Sequence, residues 1–447
     1  MEICTVGGFE QVGKNMTAVK IGEDVFIFDM GLYIPGVVEL QEEDQRQEYT
    51  IKKLRGVGAI PDDRILDKLK WRDKVRAIFI SHAHLDHLGG LPYLIERYPR
   101  VPIYGTPFTL KLLDLILRDE KITVRNPFIV VKSNETRYIK GQSDTYKVDF
   151  VHTTHSTLQC VFPALHTKEG VFFYALDLKF DNKPTFGNPP NYKKMEEIGK
   201  KGVRVLVVDA LYSSTERRPG TETVAKHMLE EAFSKIRGKN NALFITTFSS
   251  HIERLNNIVE FGKKTRREII FLGRSLNKYV EAAIAVGKCP FRKSIRLIKY
   301  RKQINSFLKK IEANRGRYLV ACTGHQAEKN SILDRITNGE TPFKFRENDN
   351  LIFSTGVIPT PINIAARDKM DNKLRKMGVR LQTDVHVHGH GSREDMREII
   401  RLLKPKHIIP AHGTLQQETP LIELSSEFGY KFRETSHLSS NGNILKL

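Results

Sequence analysis

Cysteine and tryptophan are scarce in this chain of 447 residues, which contains four cysteines and one tryptophan. The cysteines, Cys4, Cys160, Cys289 and Cys322, are scattered and form no C-x-x-C pair. This spacing argues against a disulfide framework and a zinc ribbon, and it favours a reducing cytoplasm. The sequence also has no apolar run near the length of about 20 residues that spans a membrane. Its N-terminus has no basic region followed by an apolar core, so we expect neither a signal peptide nor a membrane segment.

Acidic residues are outnumbered by basic ones, 52 against 72, which gives a formal net charge of +20. An excess of this size favours a polyanionic partner, and nucleic acid is the first candidate. The densest positive charge lies in residues 291–317, where Tyr300 and Phe307 interleave with the basic residues. This stretch is either a surface that contacts RNA or a solvated helical face, and the sequence leaves both open.

The pattern of short apolar runs predicts how the chain is organised. From about residue 211 to 365, strands alternate with helices, which is typical of an α/β domain with a largely parallel sheet. The predicted strand–helix pairs are 243–245 with 250–263, 268–271 with 275–286, and 318–321 with 327–337. We therefore expect a metal-binding domain formed by residues 1–210 and 366–447 and split by an α/β domain at 211–365. Residues 42–63 lack clear periodicity and are predicted to form a long loop.

The most specific pattern is Ser-His-Ala-His-Leu-Asp-His at residues 81–87, directly after an apolar strand. Neutral imidazoles and a carboxylate are ligands that zinc prefers. In an extended segment, His82, His84 and Asp86 would lie on one side, whereas His87 would face a second centre. Four such ligands are too many for one catalytic zinc that keeps an open position, so the sequence predicts a two-metal site.

Further ligands must come from elsewhere in the chain. The candidates are His155, His412 and Asp177, and the two oxygens of Asp177 could bridge two metals. Residues 385–390 and 407–413 are predicted to present further histidines at strand ends.

These motifs together resemble the metallo-β-lactamase superfamily, whose fold is an αββα sandwich. Asp29 is similar to the aspartate that orients ligand histidines in that fold. Asp209, His390 and His412 resemble the additional motifs of the β-CASP branch, which processes nucleic acids and carries an inserted α/β domain. The segments that resemble the ribonuclease J family, in its compact archaeal form, are 7–16, 247–250, 273–275, 323–326, 389–390 and 410–413.

The resemblance implies a ribonuclease that uses two zinc ions per chain and degrades single-stranded RNA from a 5'-monophosphate end. The implied ligands are His82, His84 and His155 for one zinc, Asp86, His87 and His412 for the other, and Asp177 as the bridge. A hydroxide between the metals would attack the phosphate. Asp86 would also be essential for catalysis, and His390, oriented by Asp209, would act as general acid or phosphate clamp. The expected RNA-binding residues are His386, His388, Ser249, Arg274, Gly324, His325 and Ser354, of which the last three would form the 5'-phosphate pocket.

Three positions depart from the family pattern. Ala210 and Leu211 stand where Ser-Thr usually follows the acid, residues 323–328 read Thr-Gly-His-Gln-Ala-Glu, and His388 replaces a serine. The last two changes fall at expected phosphate contacts, and His386 and His388 could equally belong to a polar edge strand.

Other functions remain open from the sequence alone. The alternatives are an endoribonuclease of the cleavage-and-polyadenylation type and a non-catalytic RNA-binding scaffold. A small-molecule hydrolase is disfavoured by the inserted domain and the charge. The resemblance also suggests a homodimer.

Overall fold

The computed structural model describes residues 1–43, 50–142, 144–358 and 361–447. These residues divide into two units. The first unit comprises Met1–Asn182, Asn188–Pro219 and Gly389–Leu447, and the second comprises Lys183–Gly187 and Gly220–His388.

The described residues form nineteen strands and fifteen α-helices. The strands are β1 (Glu2–Gly7), β2 (Met16–Ile21), β3 (Asp24–Phe28), β4 (Val75–Phe79), β5 (Ile103–Gly105), β6 (Phe128–Val130), β7 (Thr136–Lys140), β8 (Thr145–His152), β9 (Val161–Thr167), β10 (Gly170–Ala175), β11 (Val203–Asp209), β12 (Leu243–Thr246), β13 (Glu268–Leu272), β14 (Ile295–Ile298), β15 (Tyr318–Cys322), β16 (Asn350–Phe353), β17 (Arg380–Gln382), β18 (His407–Ala411) and β19 (Asn443–Lys446). The helices are α1 (Ile34–Glu43), α2 (Ile51–Gly56), α3 (Arg64–Lys68), α4 (Leu85–Leu88), α5 (Leu91–Leu94), α6 (Pro107–Asp119), α7 (Tyr192–Lys201), α8 (Glu222–Ser234), α9 (Ile252–Lys264), α10 (Arg274–Ala285), α11 (Arg301–Ala313), α12 (Ile332–Thr337), α13 (Pro361–Lys376), α14 (Arg393–Leu403) and α15 (Leu415–Ser426).

The first unit is a sandwich of two sheets. The first sheet has the order β19-β1-β2-β3-β4-β5-β6, and the second has the order β18-β11-β10-β9-β8-β7. Alternate residues of each strand point between the sheets, so the Phe28 ring of the first sheet lies 4.8 Å from that of Phe172 in the second. Helices α7, α14 and α15 place Met195, Ile399 and Leu424 against the other face of the second sheet, while α6 packs on the first sheet beside β5 and β6. This arrangement confirms the predicted αββα sandwich.

The second unit contains a six-stranded sheet, the third sheet, with the order β14-β13-β15-β12-β16-β17. Every pairing within it is parallel. Leu308, Leu333 and Leu374, from α11, α12 and α13, pack in one core with strand residues such as Val320. The predicted parallel α/β domain is therefore confirmed. Because β17 pairs with β16, this unit continues to His388, beyond the limit at 365 that the sequence suggested.

Several local predictions were wrong. The predicted helix at 327–337 begins only at Ile332, because the Ser331 side chain caps it by accepting a hydrogen bond from the backbone N–H of Asp334. The predicted loop at 42–63 contains the helix Ile51–Gly56, which Thr50 caps, and residues 44–49 lie outside the described ranges. The segment 385–390 forms no strand, since pairing in this part of the third sheet ends at Gln382. Within the described ranges, none of the helices has the length and apolar composition needed to cross a lipid bilayer.

Candidate metal centre

The predicted site residues of the first unit come at the ends of strands that lie side by side. Asp29 follows β3, which runs parallel to β4, and His82 lies just beyond β4. Asp209 ends β11, whose parallel neighbours β10 and β18 lead to Asp177 and His412. Parallel strands present their carboxyl ends at one edge of a sheet, so side chains from distant parts of the sequence converge there.

Asp29, Asp177 and His412 share an uncommon backbone conformation. Their φ angles are 58°, 56° and 58°, in the left-handed region that residues other than glycine adopt rarely. Holding such a residue there costs about 1–3 kcal/mol, and conformations of this kind cluster at functional sites.

The segment 82–87 does not remain extended. The backbone N–H groups of His87 and Leu88 both donate to the carbonyl oxygen of His84, at 3.1 and 3.0 Å, and this begins α4. The prediction that Asp86 lies on one side with His82 and His84 is therefore wrong, because the helical turn carries Asp86 towards His87.

Four buried or half-buried side chains form the first potential metal-binding group, namely His82, His84, His155 and Asp177. The Nε2 atoms of His82 and His155 lie 3.2 and 3.0 Å from Nδ1 of His84. The same two atoms lie 3.3 and 3.2 Å from Oδ2 of Asp177. A neutral imidazole carries a single N–H, so this convergence of ring nitrogens on a carboxylate is the arrangement of metal ligands.

Asp86, His87 and His412 form a second group. The Nε2 atoms of His87 and His412 lie 3.1 and 3.7 Å from Oδ1 of Asp177, which thus directs one oxygen to each group. Nε2 of His87 is also 3.5 Å from Oδ2 of Asp86. The buried Oδ1 of Asp177 accepts no hydrogen bond from any residue that the structure describes, which suits an atom that binds a cation.

In two of the candidate ligand histidines, the protein holds the second ring nitrogen. Nδ1 of His87 lies 2.7 Å from Oδ2 of Asp29, and Nδ1 of His155 lies 2.5 Å from the carbonyl oxygen of Gly389. Donation of Nδ1–H to these oxygens leaves the lone pair of Nε2 directed at the centre, which is the tautomer that a metal requires. The donor set therefore fits metal ions at both groups.

Asn15 is a site residue that the sequence reasoning missed. Its buried amide donates from Nδ2 to the carbonyl oxygen of Asp86 at 3.1 Å, and both ends of the amide face Nδ1 of His412, Nδ2 at 2.9 Å and Oδ1 at 3.2 Å. Asn15 belongs to the motif at 7–16 and lies directly before β2. Its place in that motif was the signal from which its role could have been predicted.

Gly31 allows the backbone to approach α4 closely. A Cβ atom at this position would lie 1.6 Å from the carbonyl oxygen of Asp86. Beside it, the backbone N–H of Met30 donates to the carbonyl oxygen of His87 at 2.7 Å. The position of the helical turn that carries two ligands therefore depends on a glycine.

Burial and neighbouring charges set the proton occupancy of these groups. Burial lowers the pKa of His82 well below its ordinary value and that of His155 to about 4. For Asp177, burial acts to raise the pKa, but His87 and His412 outweigh it and hold the pKa well below the usual range. His82, His155 and Asp177 are thus in the forms that bind metals. At His87, burial acts to lower the pKa, but Asp177, Asp86 and Asp29 outweigh it and raise the pKa well above its ordinary value, so a bound metal would replace a proton there.

His390 lies at the edge of the two groups. Its Nδ1 is 2.8 Å from Oδ2 of Asp209, and its Nε2 is 4.0 Å from Oδ2 of Asp177. Burial acts to lower the pKa of His390, but the two carboxylates outweigh it and raise the pKa to about 9. This shift favours the protonated ring, whose Nε2–H would face the carboxylate of Asp177, where a proton donor is useful.

The predicted RNA-binding residues all lie in the second unit, and two of them, His325 and His386, lie beside one phenyl ring. The ring of Phe248 is 4.5 Å from that of His325 and 6.3 Å from that of His386, which is 5.8 Å from the ring of His388. We call Phe248, His325, His386 and His388 the histidine cluster. Ser249 follows Phe248 directly, whereas Arg274 begins α10 and is exposed.

Gly324 has the backbone conformation that only glycine adopts readily, with φ at 120°. A Cβ atom there would lie 2.6 Å from both the Ser331 hydroxyl and Cβ of Leu333. The next carbonyl, that of His325, accepts a hydrogen bond from Nη1 of the buried Arg367 at 3.0 Å. The hydrogen bond from Arg367 and the close packing at Gly324 thus hold the loop that was predicted to bind phosphate.

Ser354 is fully buried, and its hydroxyl has protein partners. The hydroxyl donates to the carbonyl oxygen of Val385 at 3.0 Å and accepts from Nη1 of Arg254 at 3.1 Å. Arg254 is itself fully buried and forms a two-pronged ion pair with Glu222. Ser354 therefore belongs to a buried network. Arg254 could not be predicted from the sequence, where it is a single arginine in a helical pattern.

Three family models match successive parts of the chain. They are described as the metallo-beta-lactamase superfamily, over residues 11–162; ribonuclease J, beta-CASP domain, over 240–374; and Zn-dependent metallo-hydrolase RNA specificity domain, over 376–433. The first of these matches contains five of the predicted ligands, and the third contains His390 and His412.

Curated relatives match along the whole chain. Ribonuclease J of Pyrococcus abyssi is 40% identical, over 100% of this chain and 97% of that protein. Ribonuclease J of Methanocaldococcus jannaschii is 35% identical, over 100% and 98%. A crystal structure of a protein of unknown function from Enterococcus faecalis has the same fold, with a TM-score of 0.64 at 18% identity over 100% of this chain and 99% of that chain. The superfamily implies metal ions, and the two groups of side chains described above could bind them. The identity along the whole chain shows that this protein belongs to the ribonuclease J family, in the β-CASP branch of the metallo-β-lactamase superfamily.

Proposed function

We propose that this protein is a ribonuclease that holds two zinc ions per chain. The observation that carries the proposal is the position of Asp177, whose two oxygens face two separate groups of imidazole nitrogens. Such a carboxylate suits a bridge between two cations, and membership of the ribonuclease J family supports RNA as the substrate.

The two zinc ions would take the ligands assigned by the sequence. These are His82, His84 and His155 for one ion, Asp86, His87 and His412 for the other, and Asp177 for both. When bound, such ions acidify a coordinated water and offset the negative charge that develops on a phosphate. Asp29 would keep His87 in the required tautomer. Asn15 would hold the His412 ring in place through its contacts with Nδ1.

His390 would give a proton to the oxygen that leaves the cleaved phosphodiester. Its Nδ1 is engaged by Asp209, so the Nε2–H remains available on the side of Asp177. Loss of the Asp209 carboxylate would free the ring to rotate and lower its pKa, and both changes would slow proton transfer.

We further propose hydrolysis in the 5' to 3' direction, with a preference for 5'-monophosphate ends. The support is the histidine cluster beside the fixed loop at Gly324, since imidazoles are side chains that can donate hydrogen bonds to phosphate. A triphosphate adds bulk and charge, and a hydroxyl end leaves the phosphate donors unpaired, so both ends should react more slowly. The enzyme would act in the cytoplasm. It would also form a homodimer, and light scattering of the purified protein would test this oligomeric state.

The decisive experiment uses RNA labelled at its 3' end and prepared with a monophosphate, triphosphate or hydroxyl at its 5' end. Progressive shortening, fastest for the monophosphate, is expected. Discrete internal fragments that do not depend on the 5' group would replace this proposal with an endonuclease. RNA binding without hydrolysis in the presence of zinc would indicate a scaffold.

A further inference from the structure

A strongly basic surface lies at one edge of the third sheet, in β14, α11 and the turn before β14. Residues 288–310 contain nine lysines and arginines and no aspartate or glutamate. Within the described residues, β14 pairs only with β13 and is therefore an edge strand. We call residues 288–310 the basic edge.

Most of the basic side chains on this edge point into solvent. The exposed ones are Lys288, Arg292, Lys293, Arg296, Arg301, Lys302, Lys309 and Lys310. None of these eight forms an ion pair with a residue that the structure describes. Their charges are therefore not offset by neighbouring carboxylates, as those of an ordinary solvated helical face would be.

The charges of the strand and the helix form one continuous patch. The guanidinium of Arg296, on β14, lies 5.1 Å from the centre of the Phe307 ring, and Nζ of Lys310, on α11, lies 5.8 Å from it. Phe307 also packs against Tyr318, whose ring has Arg317 at 5.6 Å. One small aromatic core thus holds three cations close together.

An exposed aromatic ring lies within the same patch. Tyr300 precedes α11 and is 58% exposed, although large aromatic side chains are usually covered. Arg301 and Lys302 follow it, and Nζ of Lys299 lies 6.0 Å from its ring centre. Cations that track a backbone, beside a ring on which a base can stack, are the two elements of a surface that binds single-stranded nucleic acid.

We propose that the basic edge is a second RNA-binding surface, which shares no residue with the metal centre and holds a single-stranded part of the substrate by its phosphates and one stacked base. It rests on the proposed function only for the identity of the polyanion as RNA. Neither anionic lipid nor acidic protein offers planar rings in series that would account for Tyr300.

The test measures binding of the full-length zinc protein to a single-stranded RNA with phosphorothioate linkages, which resist hydrolysis. The main variant combines Arg296→Gln, Arg301→Gln, Lys302→Gln and Lys310→Gln. Because each lost phosphate contact reduces the slope of log K against log salt by about 0.7, we expect a slope shallower by about 3. Tyr300→Ala should weaken binding about fivefold or more, whereas Tyr300→Phe should bind like the parent.

A matched control removes four exposed positive charges from the first unit, by Lys52→Gln, Arg125→Gln, Lys132→Gln and Lys140→Gln. This control should keep most of the parent slope. Equal losses in both fourfold variants, or an unchanged slope in the main variant, would overturn the proposal. So would a main variant that loses binding to phosphatidylserine vesicles but not to RNA.

Hydrolysis of the same RNA with ordinary linkages, measured in parallel, separates the two proposals. A parent that binds through the basic edge but never hydrolyses RNA would remove the proposed function and keep this surface. If the parent protein hydrolyses RNA and the main variant keeps the parent's salt slope, the proposed function stands and the basic edge is not an RNA-binding surface.

Discussion

The buried carboxylates of the candidate metal centre and the buried Glu222 of the second unit are neutralised differently. In the first unit, Asp29, Asp177 and Asp209 face the nitrogens of imidazole rings. In the second, Glu222 faces the guanidinium of Arg254. An imidazole can lose its proton and bind a metal, whereas a guanidinium stays charged at any pH that the protein survives. A carboxylate that faces imidazoles therefore belongs to a site whose charge can change, whereas one that faces a guanidinium belongs to an ion pair with fixed charges.

Removing a carboxylate from the first unit should have the largest effect. Asp86→Ala deletes the oxygen ligand of the second group, so we expect hydrolysis of RNA to fall at least about a thousandfold while RNA binding largely survives. Metal analysis should find two zinc ions in the parent and fewer in the variant.

The matched control is Asp73→Ala, which removes a highly exposed carboxylate and should leave both hydrolysis and metal content unchanged. An active parent that contains one zinc ion or none would contradict the two-metal assignment.

Breaking the ion pair of the second unit should affect stability first. Arg254→Met removes the guanidinium that neutralises the buried Glu222 and leaves Nε2 of His251 at 3.7 Å beside that carboxylate. The free energy of unfolding should therefore fall by about 3–5 kcal/mol in urea titrations. Adding Glu222→Leu removes the stranded charge and should restore most of the loss. A single variant as stable as the parent would show that the Arg254–Glu222 ion pair does not stabilise the fold.

Glu418 sharpens the comparison because no imidazole or guanidinium among the described residues forms an ion pair with it. It is fully buried, Oε1 accepts from the backbone N–H of Glu10, and burial raises the pKa to about 8. The folded state therefore holds this proton more tightly than the unfolded state, and stability falls as the pH rises from about 4.5 to 8. Glu418→Gln should raise the melting temperature by about 2–4 °C at pH 9 and hardly at all at pH 5.

The control is Glu423→Gln, an exposed position in the same helix, for which no such pH dependence is expected. A gain for Glu418→Gln that is equal at both pH values would show that burial does not disfavour the ionised form.

The sequence identified in advance the residues that the structure brings together in the two potential metal-binding groups, because these residues follow recognisable local patterns. Three histidines within six residues cannot be mistaken for scattered core histidines, and Asp177 and His412 each follow a strongly apolar strand. The two sheets and the parallel order of the second unit were also predictable, since strand and helix periodicities are local properties.

What the sequence could not predict depends on contacts between distant residues. The turn of the chain at His84 follows from the space that Gly31 leaves, which no local pattern records. Asn15 and Arg254 have roles only because the fold buries them beside His412 and Ser354. The segment at 385–390 alternates like a strand, yet it has no neighbouring strand with which to pair.

The edge position of β14 has a consequence for how the protein behaves at high concentration. An edge strand exposes unpaired N–H and C=O groups, on which a strand of another molecule can add and begin aggregation. In the sequence Ile-Arg-Leu-Ile of this strand, Arg296 is the one residue that is not aliphatic. Its charge opposes the addition of another strand at this otherwise apolar edge. The side chain that we assign to RNA binding therefore also disfavours association between molecules.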